Sequence, residues 1–295
     1  YGQISSNYLF KVDSLFSEIS SRKEDSMVVN DYKRIQEIVK VKNEKIYFLA
    51  AREIDSICKF QLSKIISKKE KKFFTLNIIQ THNRSAKKYL DIGKNKKAIV
   101  ECESSLVYSK EIGFEKFISE TYNILGLTYI EFNDYENAIE KFNVSIDLRK
   151  KIKNYKGIAG SLNNIGLTYF YMNDYEDAID YFKKSLDISL SDKNGDKEFA
   201  SNTLNNIGVI NKIKGDYVEA IKYYNKSMRL NIERGRENDN STCFSNIGGI
   251  YLQQGKTDKA IEFFEKCLVI EKSLNKRKKI ACLLYTSDAA DDAHG

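Results

Sequence analysis

Asparagine side chains recur at a fixed place in this sequence. Each one stands two or three residues before a glycine, and the set comprises Asn123, Asn163, Asn164, Asn205, Asn206 and Asn246. An amide side chain offers both a hydrogen-bond donor and an acceptor, which is what the backbone of an extended peptide requires. Asparagine is mildly unfavourable inside helices, so its repetition in a helical pattern needs a physical reason. The spacing indicates either a surface that binds an extended chain or hydrogen bonds between neighbouring structural repeats.

Other chemical constellations are scarce. His82 is the only histidine outside the last 14 residues, so the histidines that catalytic triads and histidine metal sites require are almost absent. The Gly-Lys-Thr at residues 255–257 imitates the end of a phosphate-binding loop, but position 250 is Ile250, where such a loop needs glycine. Acidic pairs such as Asp134 and Glu136 are typical of helix capping. We therefore expect no catalytic residues, no metal, no cofactor and no enzyme activity.

The glycines that follow the asparagines define an internal repeat. They are Gly126, Gly166, Gly208 and Gly248, at a period of 40, 42 and 40 residues. Twelve residues after each glycine stands an alanine, namely Ala138, Ala178, Ala220 and Ala260. A fixed period in this range is typical of a solenoid, in which units stack because none can bury its apolar face alone.

Each copy predicts two amphipathic helices. In the copy at residues 157–190, apolar residues recur at helical spacing on both sides of a break at residues 172–175. Asparagine or glycine in this break tolerates the left-handed conformation that ends the first helix, and the aspartate that follows can cap the second. Gly166 and Ala178 are small, so the two backbones can approach closely while Phe182 fills the space beside them.

These residues resemble the tetratricopeptide repeat (TPR), with a small residue at the eighth position, tyrosine at the eleventh and alanine at the twentieth. The resemblance covers about two thirds of the chain, and the long period with Leu-Asn-Asn-Ile-Gly is similar to kinesin light chain, Pins-type adaptors and many bacterial sensor kinases and regulators. The chain departs from the family in having no proline and in Asn211, which replaces the expected tyrosine. The resemblance implies an all-α fold, a right-handed superhelical solenoid of antiparallel helix pairs.

The sequence divides into three parts. Residues 1–71 form a helical region, which could be degenerate repeats, with helices predicted at 32–41 and 46–66. Residues 72–281 hold five TPR-like repeats and the start of a sixth. Residues 282–295 resemble a translated transposon mosaic-end adapter from sequencing libraries, so we expect them to be a non-native artefact that ends a metagenomic fragment inside its sixth repeat.

Two polar segments interrupt the repeat pattern. Residues 68–72, Lys-Lys-Glu-Lys-Lys, are predicted to be a polar join between helices. Residues 191–197 must hold the two extra residues that displace the fourth copy. The Asn-Gly pair in this second segment is typical of a turn that absorbs an insertion cheaply.

Composition bounds the partners. The net charge of +7 becomes +10 without the last 14 residues, which contain three aspartates and no lysine or arginine. Basic clusters at residues 68–72, 149–153 and 276–279 could attract nucleic acid by counterion release, but they fall at repeat junctions where charge usually faces solvent, so we expect no nucleic-acid partner. No run of about eighteen apolar residues predicts a membrane span. The cysteines Cys58, Cys102, Cys243 and Cys267 are expected to be buried free thiols.

The family resemblance implies a binding face. In the family the face that carries the asparagines lines a concave groove, and in the similar kinesin light chain and Pins repeats these asparagines contact the backbone of an extended peptide. The resemblance adds further candidate binding residues on the same face: Glu131, Tyr171, Lys212 and Gln253. His82 stands where the family places a large buried aromatic, so we expect a core or half-buried ring there rather than a ligand.

We therefore predict a non-catalytic module that binds a protein or peptide and belongs to a larger bacterial signalling protein. One alternative is a peptide-responsive regulator that resembles the response-regulator phosphatases, with residues 14–67 as an effector bundle. Another is a structural scaffold or self-assembly surface. The sequence leaves the oligomeric state and the compartment open: the cytoplasm is favoured, and the periplasm would follow if the missing part were a membrane sensor.

Overall fold

A computed structural model describes Ser14, Ile19 and residues 26–39, 43–64, 67–191 and 196–274. From Ser26 onward the described residues form twelve α-helices and one short 3₁₀ helix, Glu237–Asn240, and no strand. The helices are α1 Ser26–Val39, α2 Glu44–Leu62, α3 Lys68–Asp91, α4 Asn95–Glu111, α5 Glu115–Ile130, α6 Tyr135–Lys151, α7 Tyr155–Tyr171, α8 Tyr175–Ser189, α9 Lys197–Ile213, α10 Tyr217–Glu233, α11 Ser241–Gln253 and α12 Thr257–Ser273.

Consecutive helices pack as pairs: α1 with α2, α3 with α4, and so on to α11 with α12. The chain forms two compact units, Tyr1–Lys153 with the first three pairs and Asn154–Gly295 with the last three. Within each unit a pair also packs against the next one. The prediction of an all-α solenoid built from helix pairs is confirmed.

Small residues let the two helices of a pair approach, as predicted. A Cβ atom added to Gly166 would lie 2.8 Å from the ring of Phe182, and Ala178 on the same second helix is fully buried. The same glycine-to-ring packing recurs between Gly126 and Phe142, Gly208 and Tyr224, and Gly248 and Phe264. Each glycine of the repeat thus makes room for one aromatic ring from the paired helix.

A buried hydroxyl also ties the second helix of a pair to the first. Three such bonds run to backbone carbonyl oxygens, from Ser145 to Ser119 at 2.7 Å, from Ser185 to Ala159 at 2.9 Å and from Ser227 to Ser201 at 2.7 Å. Each bond spans 26 residues, so it is a repeated feature of the pair. A buried serine in this position satisfies its own polar atom and fixes the register of the two helices.

The turns inside the pairs follow the predicted chemistry with one exception. Asn133 and Asn173 have φ of 56° and 62°, so they adopt the left-handed conformation at the end of the first helix. Asp134 and Asp174 then cap the second helix by accepting a backbone N–H three residues on, at 3.3 Å. In the fourth copy, where Asp216 is the aspartate of the turn, the predicted cap is wrong because this side chain makes no capping bond. Here the carbonyl of Gly215 accepts the N–H of Tyr217 at 2.9 Å.

The predicted polar join at residues 68–72 is also wrong, because these residues form the first turn of α3. Ser67 caps that helix: its Oγ accepts the N–H of Glu70 at 3.3 Å, and Glu70 Oε2 accepts the N–H of Ser67 at 2.9 Å. This reciprocal capping box satisfies two donors that the helix itself cannot, so a lysine-rich segment can begin a helix. The two helices predicted upstream are observed as α1 and α2.

Several predictions lie outside the described residues. These are most of the insertion within residues 191–197, the basic cluster at 276–279, the start of the sixth copy and the adapter-like residues 282–295. The four remaining cysteines, Cys58, Cys102, Cys243 and Cys267, are buried free thiols, which confirms that prediction. None of the described helices has both the length and the hydropathy to cross a bilayer.

Candidate functional site

One face of the first helices stays accessible in the second unit. It is formed by three residues in each helix: Asn164, Leu167 and Tyr171 in α7, Asn206, Val209 and Ile213 in α9, and Asn246, Gly249 and Gln253 in α11. Their spacing of i, i+3 and i+7 places each triplet on one helix face. In every helix the first two residues are half-buried and the third is exposed. We call this set of nine residues the ladder face.

The asparagines three residues before each glycine do not belong to the ladder face. Asn163 is 9% exposed, and its Oδ1 accepts a hydrogen bond from Thr203 Oγ1 at 3.3 Å, which joins α7 to α9. Asn205 Oδ1 accepts the Nδ2 of Asn246 at 3.4 Å, which joins α9 to α11. Of the two interpretations left open by the sequence, hydrogen bonding between repeats accounts for Asn163 and Asn205.

The first unit repeats this arrangement at a position that the sequence analysis missed. Asn83 Oδ1 accepts a hydrogen bond from Thr121 Oγ1 at 2.8 Å, and both side chains are buried. Asn83 could have been found from Ala86, three residues later, which stands in this copy where later copies have the glycine. Asn123 is half-buried and accepts a bond from Arg149 Nη1 at 3.4 Å, while Glu131 is exposed at the end of α5.

Asn206 and Lys212 each carry a polar group that has no partner among the described residues of the second unit. The amide of half-buried Asn206 forms no hydrogen bond with any described residue. Lys212 Nζ lies 3.1 Å from the place that a Cβ on Gly249 would occupy, so the absence of a side chain there gives the lysine its room. Within the described part of the chain no carboxylate is within 4.0 Å of this ammonium, and burial lowers the pKa of Lys212. The amide of Asn206 on α9 and the ammonium of Lys212 beside Gly249 of α11 are therefore available to a ligand.

His82 in the first unit is half-buried, as predicted, with 12% of its side chain exposed. Its Nδ1 lies 2.7 Å from Glu101 Oε2, and its Nε2 lies 3.3 Å from Asp55 Oδ1. Burial alone would lower the pKa of His82, but the two carboxylates outweigh burial and raise it to about 9, so the ring is charged at neutral pH. Sequence reasoning missed this ion cluster because its members lie on α2, α3 and α4.

Comparisons with known proteins agree with the fold. The family model described as tetratricopeptide repeat matches residues 117–191, 157–233 and 199–270. No curated protein sequence matches the chain significantly. Among solved structures, BtubC from P. vanneervenii is similar, with 15% identity, a TM-score of 0.58, and coverage of 84% of this chain and 91% of that one.

Two further similar structures come from Bacillus species. Aspartyl phosphate phosphatase F from Bacillus subtilis has 13% identity and a TM-score of 0.63, covering 90% of this chain and 70% of that one. The apo form of the quorum sensor NprR from B. thuringiensis has 17% identity and a TM-score of 0.59, and the similarity covers 96% of this chain and 81% of that one. At such identities these structures show a shared fold. Because the family model covers residues 117–270, more than half of the sequence, the chain belongs to the tetratricopeptide repeat family.

Proposed function

We propose that this protein is a non-catalytic TPR module that binds an extended peptide, or an extended segment of a partner protein, on the ladder face of its second unit. The observation that carries the proposal is the pair of unpartnered polar groups, the amide of Asn206 and the ammonium of Lys212. Both are partly removed from water without a compensating bond among the described residues. Such groups favour a ligand that supplies the missing partners.

The chemistry of the face fits one kind of ligand. Amides on neighbouring helices can pair with successive N–H and C=O groups of an extended backbone, and we propose this role for Asn206. Tyr171 and Ile213, 51% and 50% exposed, offer apolar contacts for spaced side chains of the ligand. Lys212 selects a carboxylate, either an acidic side chain or a chain terminus. We infer a peptide with spaced apolar residues and at least one acidic group.

The proposal also concerns the larger protein. We propose that the module is the input or scaffolding part of a bacterial signalling protein. Its support is the fold shared with an aspartyl phosphate phosphatase and a quorum sensor. The phosphatase comparison covers 90% of this chain, which favours a second candidate, a peptide-responsive regulator that acts on a response regulator. Adding the chain to a phosphorylated response regulator and following the lifetime of its acyl phosphate separates the two, because a binding module leaves that lifetime unchanged.

The binding proposal is tested with the full chain. A phage-displayed library of random linear peptides is selected on it, and the enriched peptides are synthesised with a fluorescent label for anisotropy titrations. We expect enriched sequences to carry acidic and apolar residues. The double variant Asn164→Ala/Asn206→Ala should bind them about tenfold more weakly or worse while keeping its helical circular dichroism.

A matched control removes two asparagines elsewhere. Asn143 and Asn225 are exposed on the second helices α6 and α10, so Asn143→Ala/Asn225→Ala should bind like the wild type. If no peptide is enriched, or if the ladder-face variant binds as tightly as the control, the proposal is wrong.

A further inference from the structure

The first unit contains a cleft that is unrelated to the ladder face. Its lining residues come from α2, α3 and α4 and from Lys94, just before α4, and the cavity measures about 560 Å³. Pockets for small molecules typically have volumes of this order, from about 300 to 1,000 Å³. The cleft is thus large enough for a metabolite-sized molecule and too small for a folded partner.

Positive charge dominates the rim of the cleft. Four exposed basic side chains surround it: Lys45, Arg52, Lys94 and Lys97. Lys94 Nζ is 3.9 Å from Glu44 Oε2, so this ion pair is a long one between two exposed side chains. For Lys45 and Arg52, no carboxylate of the described chain lies within 4.0 Å. Several cations that converge on one cavity repel each other unless an anion lies between them.

The acidic groups in the cleft do not balance this rim. Asp55 Oδ2 is 2.7 Å from Lys59 Nζ, and its other oxygen faces His82. Glu101 is paired with the same imidazole at 2.7 Å. Because a protonated His82 and Lys59 together neutralise Asp55 and Glu101, the deep part of the cleft is electrically neutral and the rim charge remains.

One wall of the cleft is flat and apolar. Phe48 from α2 and Tyr89 from α3 stack with ring centroids 4.0 Å apart and an angle of 11° between their planes. Both rings are half-buried, and Lys97 Nζ lies 5.7 Å from the centre of the Tyr89 ring. A stacked pair is a rigid surface on which a ring or an apolar chain can pack next to a cation.

We propose that this cleft binds a small organic anion with at least two negative charges, whose ring or apolar part packs on the Phe48–Tyr89 wall while its charges meet Arg52, Lys97 and the neighbouring lysines. The anionic groups can be phosphates or carboxylates, since both pair with arginine and lysine. Such a ligand would bind independently of the peptide on the ladder face, so this proposal stands even if the peptide proposal fails.

Isothermal titration calorimetry on the full chain at low salt tests the proposal with three probes. ADP carries a ring and phosphates, trimesate carries a ring and three carboxylates, and adenosine carries a ring without charge. We expect saturable binding of one molecule of ADP or of trimesate per chain, weakened by added salt, and none of adenosine. Binding of ADP alone identifies a phosphate site, and binding of trimesate alone identifies a carboxylate site.

Two double variants of equal charge locate the site. Arg52→Ala/Lys97→Ala removes two rim cations and should weaken binding of the active probe about tenfold or more. Lys87→Ala/Lys96→Ala removes two exposed lysines of α3 and α4 that do not line the cleft, and should leave affinity unchanged. All four positions are exposed, so both proteins should fold like the wild type. The absence of saturable binding by both anions, or equal weakening in the two variants, would overturn the proposal.

Discussion

The imidazole of His82 donates from Nδ1 to Glu101 Oε2 across 2.7 Å and thereby joins α3 to α4. The opposite nitrogen faces Asp55 of α2 at 3.3 Å. A single charged ring therefore links three helices of the first unit. Because the link depends on a proton, the stability of this unit must depend on pH.

The pH dependence follows from the direction of the pKa shift. The pKa of His82 is raised from 6.5 to about 9, so the folded protein holds the proton more tightly than the unfolded chain. The stabilisation is complete below pH 6.5 and is lost as pH rises through about 9. We expect the free energy of unfolding to fall by up to about 3 kcal/mol across that window. Urea unfolding followed by circular dichroism from pH 6 to pH 9.5 measures this loss.

The variant His82→Gln isolates the histidine from other groups that titrate in this range. The variant should be less stable than the wild type at pH 6, and the difference between the two proteins should shrink as pH rises. A difference that stays constant with pH would mean that the ring acts by packing alone.

Glycine at the eighth position of the repeat is predicted to be irreplaceable by alanine. In Gly166→Ala the new methyl group would lie 2.8 Å from the ring of Phe182 and 3.2 Å from the carbonyl oxygen of Ala178. We expect a loss of about 1–3 kcal/mol in the free energy of unfolding, because the closely packed pair must separate. Chemical denaturation gives the value.

The same helix provides the control. Gly160 is also in α7, but apart from the adjacent backbone of its own helix no atom lies within 4 Å of an added Cβ. Gly160→Ala should therefore stabilise the protein by about 0.5–1 kcal/mol through helix propensity. Equal effects of the two substitutions would show that the distance to Phe182 is unimportant.

Variants at Asn163 in α7 and at Asn206 in α9 should separate a structural role of asparagine from a role in peptide binding. Asn163→Ala removes one of the two acceptors within reach of Thr203 Oγ1, the other being the carbonyl of Phe199 at 3.0 Å, and should cost about 1 kcal/mol of stability. Asn206→Ala removes an amide without a partner among the described residues and should change stability by less than about 0.5 kcal/mol. Only Asn206→Ala should weaken peptide binding without a stability loss. Denaturation curves and anisotropy titrations on both variants decide this, and the reverse pattern would contradict the assignment of the ladder face.

Lys212 is predicted to lower the stability of the protein and to raise its affinity for acidic ligands. Its ammonium is partly buried beside Gly249 without a nearby carboxylate in the described chain. Lys212→Met should stabilise the protein by about 0.5–1 kcal/mol, because an unpaired charge no longer needs to be desolvated. The same variant should weaken the binding of acidic peptides about tenfold and reduce the dependence of their Kd on salt concentration. Lys214→Met, at an exposed position of the following turn, is the control and should alter neither quantity.

Much of the fold could be predicted from local patterns. The 40-residue period, the glycine and alanine positions and the Asn-Asp turns each report a contact within one helix pair, where partners are close in sequence. Gly166 and Phe182, 16 residues apart, are an example. The errors at Asp216 and at residues 68–72 are also local. At Asp216 a backbone bond takes the place of the side-chain cap, whereas at residues 68–72 the capping box of Ser67 and Glu70 begins the helix.

The sequence by itself determined the helix pairs, the buried thiols and a recurring row of asparagines, because each copy of the repeat shows the same hydrophobic period and the same residue sizes. Only the tertiary structure divided that row into Asn163 and Asn205, which bond the next repeat, and Asn206, which does not. It alone brought Asp55, His82 and Glu101 together on three helices. The physical reason is that a helix places residues three positions and two positions before a glycine 100° apart, and which of them meets a neighbour depends on how the next pair packs.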